Sequence, residues 1–253
     1  MFEFEFDGTW SSEDNWDIVV IGAGGNGSHF LKNFATLDML NKHLDYINFN
    51  VKVYDPDTIE IHNTARQQFN PASVGFNKAV NICSKINNQF GLDYSAIPEY
   101  FQIATSEKFN FLRTIYVLAV DDPKFRLEFY KNISSKNTSV IDMGNGNNFG
   151  QIHYFWNSKS RETERFKEYK KSLYNLSRRK TKGPSCSHIE SVKSQGLFVN
   201  STIAQLAATA LFNLFMYNPK KIPFVTFYDE ARIRVNTISA LASYERKCSS
   251  PLI

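Results

Sequence analysis

The sequence predicts an α/β fold in which a parallel half of one sheet, flanked by helices, is continued by an antiparallel half. Short apolar runs alternate with stretches whose apolar residues recur at helical spacing, which favours parallel strands joined by right-handed crossovers. The alternation ends near residue 150. Two later apolar runs, 150–156 and 222–228, have the length of strands and are predicted to extend the sheet in antiparallel fashion.

The individual elements follow from local pattern. Four runs are short, rich in β-branched residues and bounded by polar or turn-forming residues, as buried strands are. They are 17–21, 51–54, 115–120 and 140–143. Helical stripes of apolar residues predict helices that begin at Ser28, after Gly75 and near residue 190, the last ending about residue 216.

The length of 253 residues fits one large α/β domain or two small ones, and the composition indicates a globular chain. Hydrophobic residues make up 42% and charged residues 21%, which excludes wholesale disorder, and a net charge of +4 is too small to indicate nucleic acid. Three cysteines cannot form a disulfide framework, so a reducing, cytoplasmic setting is expected. The acidic start lacks the pattern of a signal peptide, and the apolar run 203–217 is too short to cross a bilayer, so no membrane association is expected.

A glycine-rich loop follows the first predicted strand directly. Its sequence, Gly22-Ala-Gly24-Gly25-Asn-Gly27, matches the pattern G-x-G-x-x-G between a strand and a helix. Backbone N–H groups at such a helix N-terminus can bind phosphate, which predicts a Rossmann-like nucleotide site; a tight turn that binds nothing is the alternative. Asp55, at the end of the second strand, could bind the ribose of either NAD or ATP.

The residues after Asp55 favour a triphosphate over a dinucleotide. The loop 59–71 is polar and carries Asn63, Arg66 and Gln67, and Lys78 lies twelve residues after the arginine. A triphosphate needs fixed cations and hydrogen-bond donors, whereas a dehydrogenase does not need this set. An NAD-dependent oxidoreductase therefore stays an alternative that leaves these residues unexplained.

Several motifs in a fixed order resemble the superfamily of ThiF, MoeB and ubiquitin-activating enzymes. They are Asp55-Pro-Asp57, Asn63-Thr-Ala-Arg66-Gln67, Gly75-Phe-Asn-Lys78 and Asp121-Asp122 with Arg126 beyond, spread over roughly 17–130. The stretches 142–151, 184–187 and 197–201 are similar to ThiF-family members of bacterial PRTRC-type gene clusters. The resemblance implies a single adenylation domain with the ThiF fold over 1–253.

The resemblance also implies an ATP-dependent adenylyltransferase that acts on the C-terminus of a small ubiquitin-like, β-grasp carrier protein supplied in trans. Asp55 would bind ribose, the glycine loop would follow the phosphates, and Asp121 would bind magnesium. Asp57 would also bind the nucleotide, and four side chains would contact the triphosphate: Asn63, Arg66, Gln67 and Lys78. Of these residues, Arg66, Lys78 and Asp121 would be catalytic. A homodimer and a conjugating-enzyme-like acceptor are further implications, and the identity of the carrier is not implied.

Cys186 follows a basic segment and precedes a predicted helix, both of which lower a thiol pKa. The resemblance implies that it forms a thioester with the carrier; the alternative is an ordinary helix-entry residue. Cys83 lies on the apolar face of a predicted helix and is expected in the core, while Cys248 in the polar tail has no predicted role.

The segment 157–182 carries ten Lys or Arg residues against three Glu and is predicted as a solvated loop, part of a basic crossover loop over 157–187. Nucleic-acid binding and closure over the carrier's tail are its functional alternatives.

The sequence departs from the family pattern in three respects. Residues 1–31 contain no Arg or Lys where many members have an arginine, and no Cys-x-x-Cys zinc motif is present. Asn26 and Thr64 replace leucines of the family's motifs. The missing N-terminal arginine leaves open a catalytically idle scaffold with this fold.

Overall fold

The computed structural model describes residues 15–103, 113–133, 138–156, 163–178, 196–217 and 223–239. These residues form one sheet of eight strands with helices on both faces. The strands are β1 Asn15–Ile21, β2 Asn48–Tyr54, β3 Ser95–Ile97, β4 Thr114–Leu118, β5 Ser139–Asn145, β6 Phe149–Phe155, β7 Pro223–Asp229 and β8 Arg234–Ser239.

The sheet has the order β3-β2-β1-β4-β5-β6-β7-β8. Strands β1 to β5 pair in parallel, whereas β6, β7 and β8 are each antiparallel to the strand before them. The predicted mixed sheet, parallel half first, is confirmed. Because the chain passes from β1 to β2 on one side and later to β4 on the other, the carboxyl end of β1 opens a crevice.

Within the described ranges, three helices cover one face of the sheet and two cover the other. The first group is α1 Gly25–His43, α2 Lys78–Phe90 and α5 Val199–Tyr217; the second is α3 Pro123–Ile133 and α4 Glu164–Ser177. Successive residues of each central strand lie on opposite faces of the sheet. Ile18 and Val20 of β1 pack with α1 and α5, while Val19 and Ile21 pack in an aromatic-rich cluster under α3 and α4.

The prediction of a solvated loop for 157–182 is wrong where the chain forms helix α4. Residues 164–177 form a helix capped by Thr163, whose hydroxyl accepts a hydrogen bond from the Phe166 N–H. Phe166, Tyr169 and Leu173 are buried against the sheet while the basic residues face outward. The prediction gave weight to the charge and too little to the i, i+3, i+7 apolar spacing.

Helix α5 begins at Val199, so the helix predicted from about residue 190 starts later within the described residues. It has 19 residues and a mean hydropathy of 1.2, so by length and composition it could cross a membrane. Half of it is buried, and it packs against α1 and against β5 and β6, as the core helix of a folded domain does.

Candidate functional site

A cavity of about 640 Å³ lies at the carboxyl ends of β1, β2 and β4. This is the position where ligands bind in open sheets of this type. Nine of the predicted site residues line it: Gly22, Gly24, Gly25, Asp55, Asp57, Arg66, Gln67, Lys78 and Asp121. They come from three separate loops, and the fold brings them together because parallel strands end at the same edge.

The glycine loop connects β1 to α1, and its glycines meet different requirements. Gly22 has φ +94°, a conformation that side chains disfavour, and a Cβ on Gly27 would lie 1.9 Å from the Gly22 carbonyl oxygen. Gly27 therefore allows close packing and does not line the cavity. A Cβ on Gly24 would meet nothing within 4 Å, so its bare backbone is open to the cavity.

Helix α1 begins at Gly25, three residues before the predicted start at Ser28. The first turn of the helix is therefore part of the glycine loop. Its N–H groups have no partner within the helix and carry the positive end of the helix dipole, which suits a phosphate.

The Asp55 carboxylate holds the glycine loop against the end of β2. It is buried, and its oxygens accept hydrogen bonds from the Ala23 N–H at 2.6 Å and the Asp57 N–H at 2.9 Å. Burial raises the pKa of Asp55, and these two hydrogen bonds together with Lys78 offset part of that rise. Each carboxylate oxygen can accept a further bond, so a ribose hydroxyl fits beside this structural role.

Lys78 is the first residue of α2 and is buried, with 9% of its surface exposed. Its Nζ lies 2.9 Å from Oδ2 of Asp57. Asn77 caps the helix by accepting from the Val80 N–H, and its amide donates to the carbonyls of Asp55 and Asp57. Asn77 thus ties the start of α2, where Lys78 lies, to the end of β2. The sequence motif did not reveal this role.

The loop with Arg66 and Gln67 is held by α1. The Gln68 N–H donates to Ser28 Oγ at 3.1 Å, and the His29 ring bridges the Arg66 carbonyl and the Gln68 side chain. Burial lowers the pKa of His29, and a neutral ring with its proton on Nε2 satisfies both partners. Ser28 and His29 are positioning residues that sequence reasoning missed.

Asn63 has a structural position rather than a place on the cavity wall. It lies in a 3₁₀ turn, Ile61–Ala65, where its Oδ1 accepts from the Glu60 N–H at 2.8 Å and its carbonyl accepts from the Gln67 N–H at 3.0 Å. It therefore shapes the loop that carries Arg66 and Gln67, and it is absent from the residues that line the cavity.

Asp121 and Asp122 are exposed at the cavity rim, after β4. Asp122 directly precedes α3 and caps it, since its Oδ1 accepts a hydrogen bond from the Lys124 N–H at 2.8 Å. Over the described ranges there is no group of three or more His, Cys, Asp or Glu that could hold a metal alone. The residues still fit magnesium, which typically takes one or two carboxylates and completes its shell with water and substrate phosphates.

A buried polar network supports the Asp121 loop from below. Arg126 contacts Asp142 at 2.6 Å, and both Tyr130 and Tyr169 donate to the other carboxylate oxygen of Asp142. Burial, strengthened by Asp142, raises the pKa of both phenols, so they stay donors. The guanidinium also donates to the Val120 carbonyl, directly before Asp121.

The structure describes one of the three cysteines. Cys83 is buried on α2, and burial raises the pKa of its thiol to about 12, so the predicted core position is confirmed. Cys186 and Cys248 lie outside the described residues.

The model of the ThiF family matches residues 12–250. The chain belongs to the ThiF family. A curated relative, the SUMO-activating enzyme subunit uba-2 of Caenorhabditis elegans, is 30% identical over 151 residues, covering 56% of this chain and 24% of that protein. The predicted superfamily is confirmed.

Solved structures share the ThiF fold. E. coli MccB with ATP has a TM-score of 0.63 at 21% identity, covering 92% of this chain and 67% of MccB. MccB with AMPCPP and MccA gives 0.61 at 21%, covering 90% and 66%, and PaaA gives 0.62 at 16%, covering 91% and 65%. This chain thus spans about a quarter of the SUMO-activating subunit and about two thirds of MccB.

Proposed function

We propose that this ThiF-family protein is an ATP-dependent adenylyltransferase that activates the C-terminal carboxylate of a ubiquitin-like carrier protein. One observation carries the proposal: a single cavity joins the glycine loop, the buried Asp55 carboxylate, the cations of Arg66 and Lys78, and Asp121. A glycine loop and an acid suit any nucleotide, but the added cations and carboxylate suit a triphosphate. The MccB structure with ATP supports the same choice.

The proposed reaction requires alignment and charge neutralisation. A carboxylate oxygen of the carrier attacks the α-phosphorus of ATP, and the bond from that phosphorus to the bridging oxygen breaks. Pyrophosphate leaves with the electron pair, and an acyl-adenylate forms. Because the nucleophile is already an anion, no proton has to be removed, and the cavity needs cations and backbone donors more than a general base.

Each part of the cavity has a task in this reaction. Asp55 would hold the ribose, the N–H groups of the first turn of α1 would bind phosphate, and Lys78 and Arg66 would neutralise the leaving group. Asp121 would hold magnesium, which supplies charge neutralisation between the phosphates when bound.

The partner and later steps are part of the proposal. E. coli MccB is known in complex with MccA, and the curated relative is a subunit of a SUMO-activating enzyme, which supports a polypeptide substrate. We further propose that the Cys186 thiolate attacks the acyl carbon of the adenylate, which forms a thioester and releases AMP, and that the acyl group then passes to a conjugating-enzyme-like acceptor. A homodimer is also part of the proposal. The finer similarity to PRTRC-type members likewise stays a prediction.

Calorimetric titration with ATP and magnesium, and separately with NAD, tests the proposal without knowledge of the carrier. ATP should bind in a magnesium-dependent manner and Asp121→Ala should weaken it, whereas Glu128→Ala, an exposed acid on α3 outside the cavity, should not. Binding of NAD with indifference to ATP would indicate an oxidoreductase instead. Binding of ATP without pyrophosphate exchange in the presence of the carrier would indicate an idle scaffold.

The thioester is tested by Cys186→Ala. This variant should lose a reductant-sensitive adduct with the carrier while it retains pyrophosphate exchange. Loss of both activities would contradict the assignment.

A further inference from the structure

Three asparagines from separate elements line the cavity beside the glycine loop. They are Asn26, the second residue of α1, Asn145, the last residue of β5, and Asn200, the second residue of α5. We call them the asparagine trio. Two of them lie in the stretches 142–151 and 197–201, which the proposed ATP site does not use. The third, Asn26, stands where the family's glycine loop has leucine.

Asn145 and Asn200 each lie against the glycine loop. Asn26 Nδ2 donates to Asn145 Oδ1 at 3.3 Å. Asn200 lies so close to the glycine loop that a Cβ on Gly25 would come within 2.4 Å of its Nδ2. Gly25 therefore leaves room for the Asn200 amide, and Asn145 and Asn200 lie against two consecutive residues of the loop, Asn26 and Gly25.

The trio retains unused hydrogen-bonding capacity. Asn26 and Asn200 are 6% and 7% exposed, and the side-chain oxygen of each has no hydrogen-bond partner in the part of the chain that the structure describes. A buried amide oxygen without a partner is costly, so residues that serve the fold alone are normally satisfied. Rotation about the broad terminal torsion of asparagine can turn such an oxygen toward a ligand.

The two ends of the cavity differ in charge. Arg66 and Asp57 lie in the loop after β2 and Lys78 begins α2, whereas the trio is neutral and includes Asn145 at the end of β5. In the sheet, β1 and β4 separate these strands. The cationic end suits phosphates, and the neutral amide end suits a group that carries both a donor and an acceptor and no charge.

The antiparallel half holds Asn200 in place. Glu230, after β7, accepts from the Phe198 N–H at 2.8 Å, directly before α5. Its own N–H donates to the Asn148 carbonyl at 2.8 Å, in the turn between β5 and β6. The start of α5 and the end of β5 are thus fixed to each other, which positions Asn145 and Asn200 together.

We propose that the asparagine trio binds the last peptide group of the substrate polypeptide and places its terminal carboxylate at the α-phosphate. A peptide group presents one N–H and one C=O, and an asparagine amide presents the complementary acceptor and donors. The trio is then a specificity determinant for a main-chain peptide unit next to the reacting carboxylate. This inference rests on the proposed adenylyltransferase function.

The test uses a synthetic pool of randomised octapeptides with free C-terminal carboxylates, and a matched pool with C-terminal amides. Pyrophosphate release from ATP and magnesium is measured for the full chain and for Asn26→Leu, Asn200→Leu and the control Asn148→Leu. Asn148 is exposed in the same turn as Asn145 but does not line the cavity. Titration with ATP and magnesium is run on every variant.

The carboxylate pool should support release by the unsubstituted chain and the amide pool should not. Asn200→Leu should lower release at least tenfold with ATP affinity within twofold of the unsubstituted chain. Asn26→Leu should do the same, because it keeps the backbone N–H that the phosphate site uses, and Asn148→Leu should change neither release nor affinity. Unchanged release in both trio variants would overturn the inference and leave the proposed function standing. Weakened ATP binding in them would assign the trio to the nucleotide and overturn it too. Absence of release from the unsubstituted chain would overturn the inference, because a site for a main-chain peptide unit must accept short peptides, and it would leave the proposed function to the test with a folded carrier.

Discussion

Arg126 and Asp142 form a buried ion pair at 2.6 Å that joins α3 to β5 beneath the candidate site. Asp142 is fully buried, and Arg126 is 6% exposed. Burial lowers the pKa of the guanidinium, but the Asp142 carboxylate outweighs it and keeps the group charged. Since Arg126 also donates to the carbonyls of Val120 and Met143, the pair connects the end of β4 to the end of β5. Asp121 and Asn145, which both line the cavity, lie one and two residues beyond these carbonyls.

Arg126→Met should destabilise the protein strongly. Removal of one partner leaves the Asp142 charge buried with only tyrosine donors, which typically costs about 3–5 kcal/mol. Urea unfolding measures the change, and the milder Tyr169→Phe, which removes one hydroxyl donor to Asp142, should cost about 1–2 kcal/mol. Arg178→Met, on the exposed end of α4, is the control and should be near neutral. Equal stability of Arg126→Met and Arg178→Met would contradict this account.

Gly24→Ala and Gly27→Ala should separate ligand binding from packing within one loop. A Cβ on Gly27 would overlap the Gly22 carbonyl, so this variant should lose about 1–3 kcal/mol of unfolding free energy. A Cβ on Gly24 has open space on the protein side and points to the cavity, so stability should change by less than about 0.5 kcal/mol. Affinity for ATP should nevertheless fall in Gly24→Ala. Thermal unfolding and calorimetry together test the pair, and an unaltered ATP affinity in Gly24→Ala would place the phosphates elsewhere.

The sequence predicted the parts of the fold that depend on strong local patterns. Strands β1, β2, β4 and β5 are apolar runs and were found directly, as were the antiparallel β6 and β7. Strand β3 has three residues, and β8 is a largely exposed edge strand in which polar residues fill four of six positions without alternation, so neither has a pattern that stands out.

Within the site, the sequence predicted residues but not their partners. Asp55 was expected to bind ribose, yet its closest contacts are the N–H groups of Ala23 and Asp57. Asn77, His29 and the asparagine trio act through contacts between distant segments, which no spacing along the chain reveals. Asn63 matches a nucleotide-site motif, and its side chain hydrogen-bonds within the 3₁₀ turn that precedes Arg66.

Lys78→Met should weaken binding of ATP and magnesium by roughly 10- to 100-fold, because a hydrogen bond to a charged group is worth about 1.5–3 kcal/mol. The ammonium group is held by Asp57 at 2.9 Å and lines the cavity, so it is oriented before any phosphate arrives. Lys124→Met, an exposed lysine on α3 near the same edge of the sheet, is the matched control and should bind normally. Calorimetry at low and high salt measures both. Equal losses in the two variants would indicate general electrostatic attraction rather than a built phosphate contact.

Asp38→Asn should stabilise the protein at neutral pH. The carboxyl lies in α1 with 1% of its surface exposed, and burial raises its pKa to about 6, with Lys42 and Tyr94 offsetting only part of that rise. The folded state holds this proton more tightly than the unfolded state does. Below the ordinary pKa of 3.8 the carboxyl is protonated in both states, and its burial does not lower the free energy of unfolding. As the pH rises from 3.8 toward 6 the free energy of unfolding falls, and above pH 6 the loss has reached its full size.

The full cost is about 3 kcal/mol at pH 7.5, since each pKa unit corresponds to about 1.4 kcal/mol. An amide carries no charge, so Asp38→Asn should raise the free energy of unfolding by about 1–3 kcal/mol at pH 7.5 and by nearly nothing at pH 4. Urea unfolding at both pH values measures this difference. The control is Asp45→Asn, an exposed residue at φ +49° that asparagine tolerates, and it should be neutral at both. A gain in Asp38→Asn that is the same at both pH values would show that the burial of charge is not its cause.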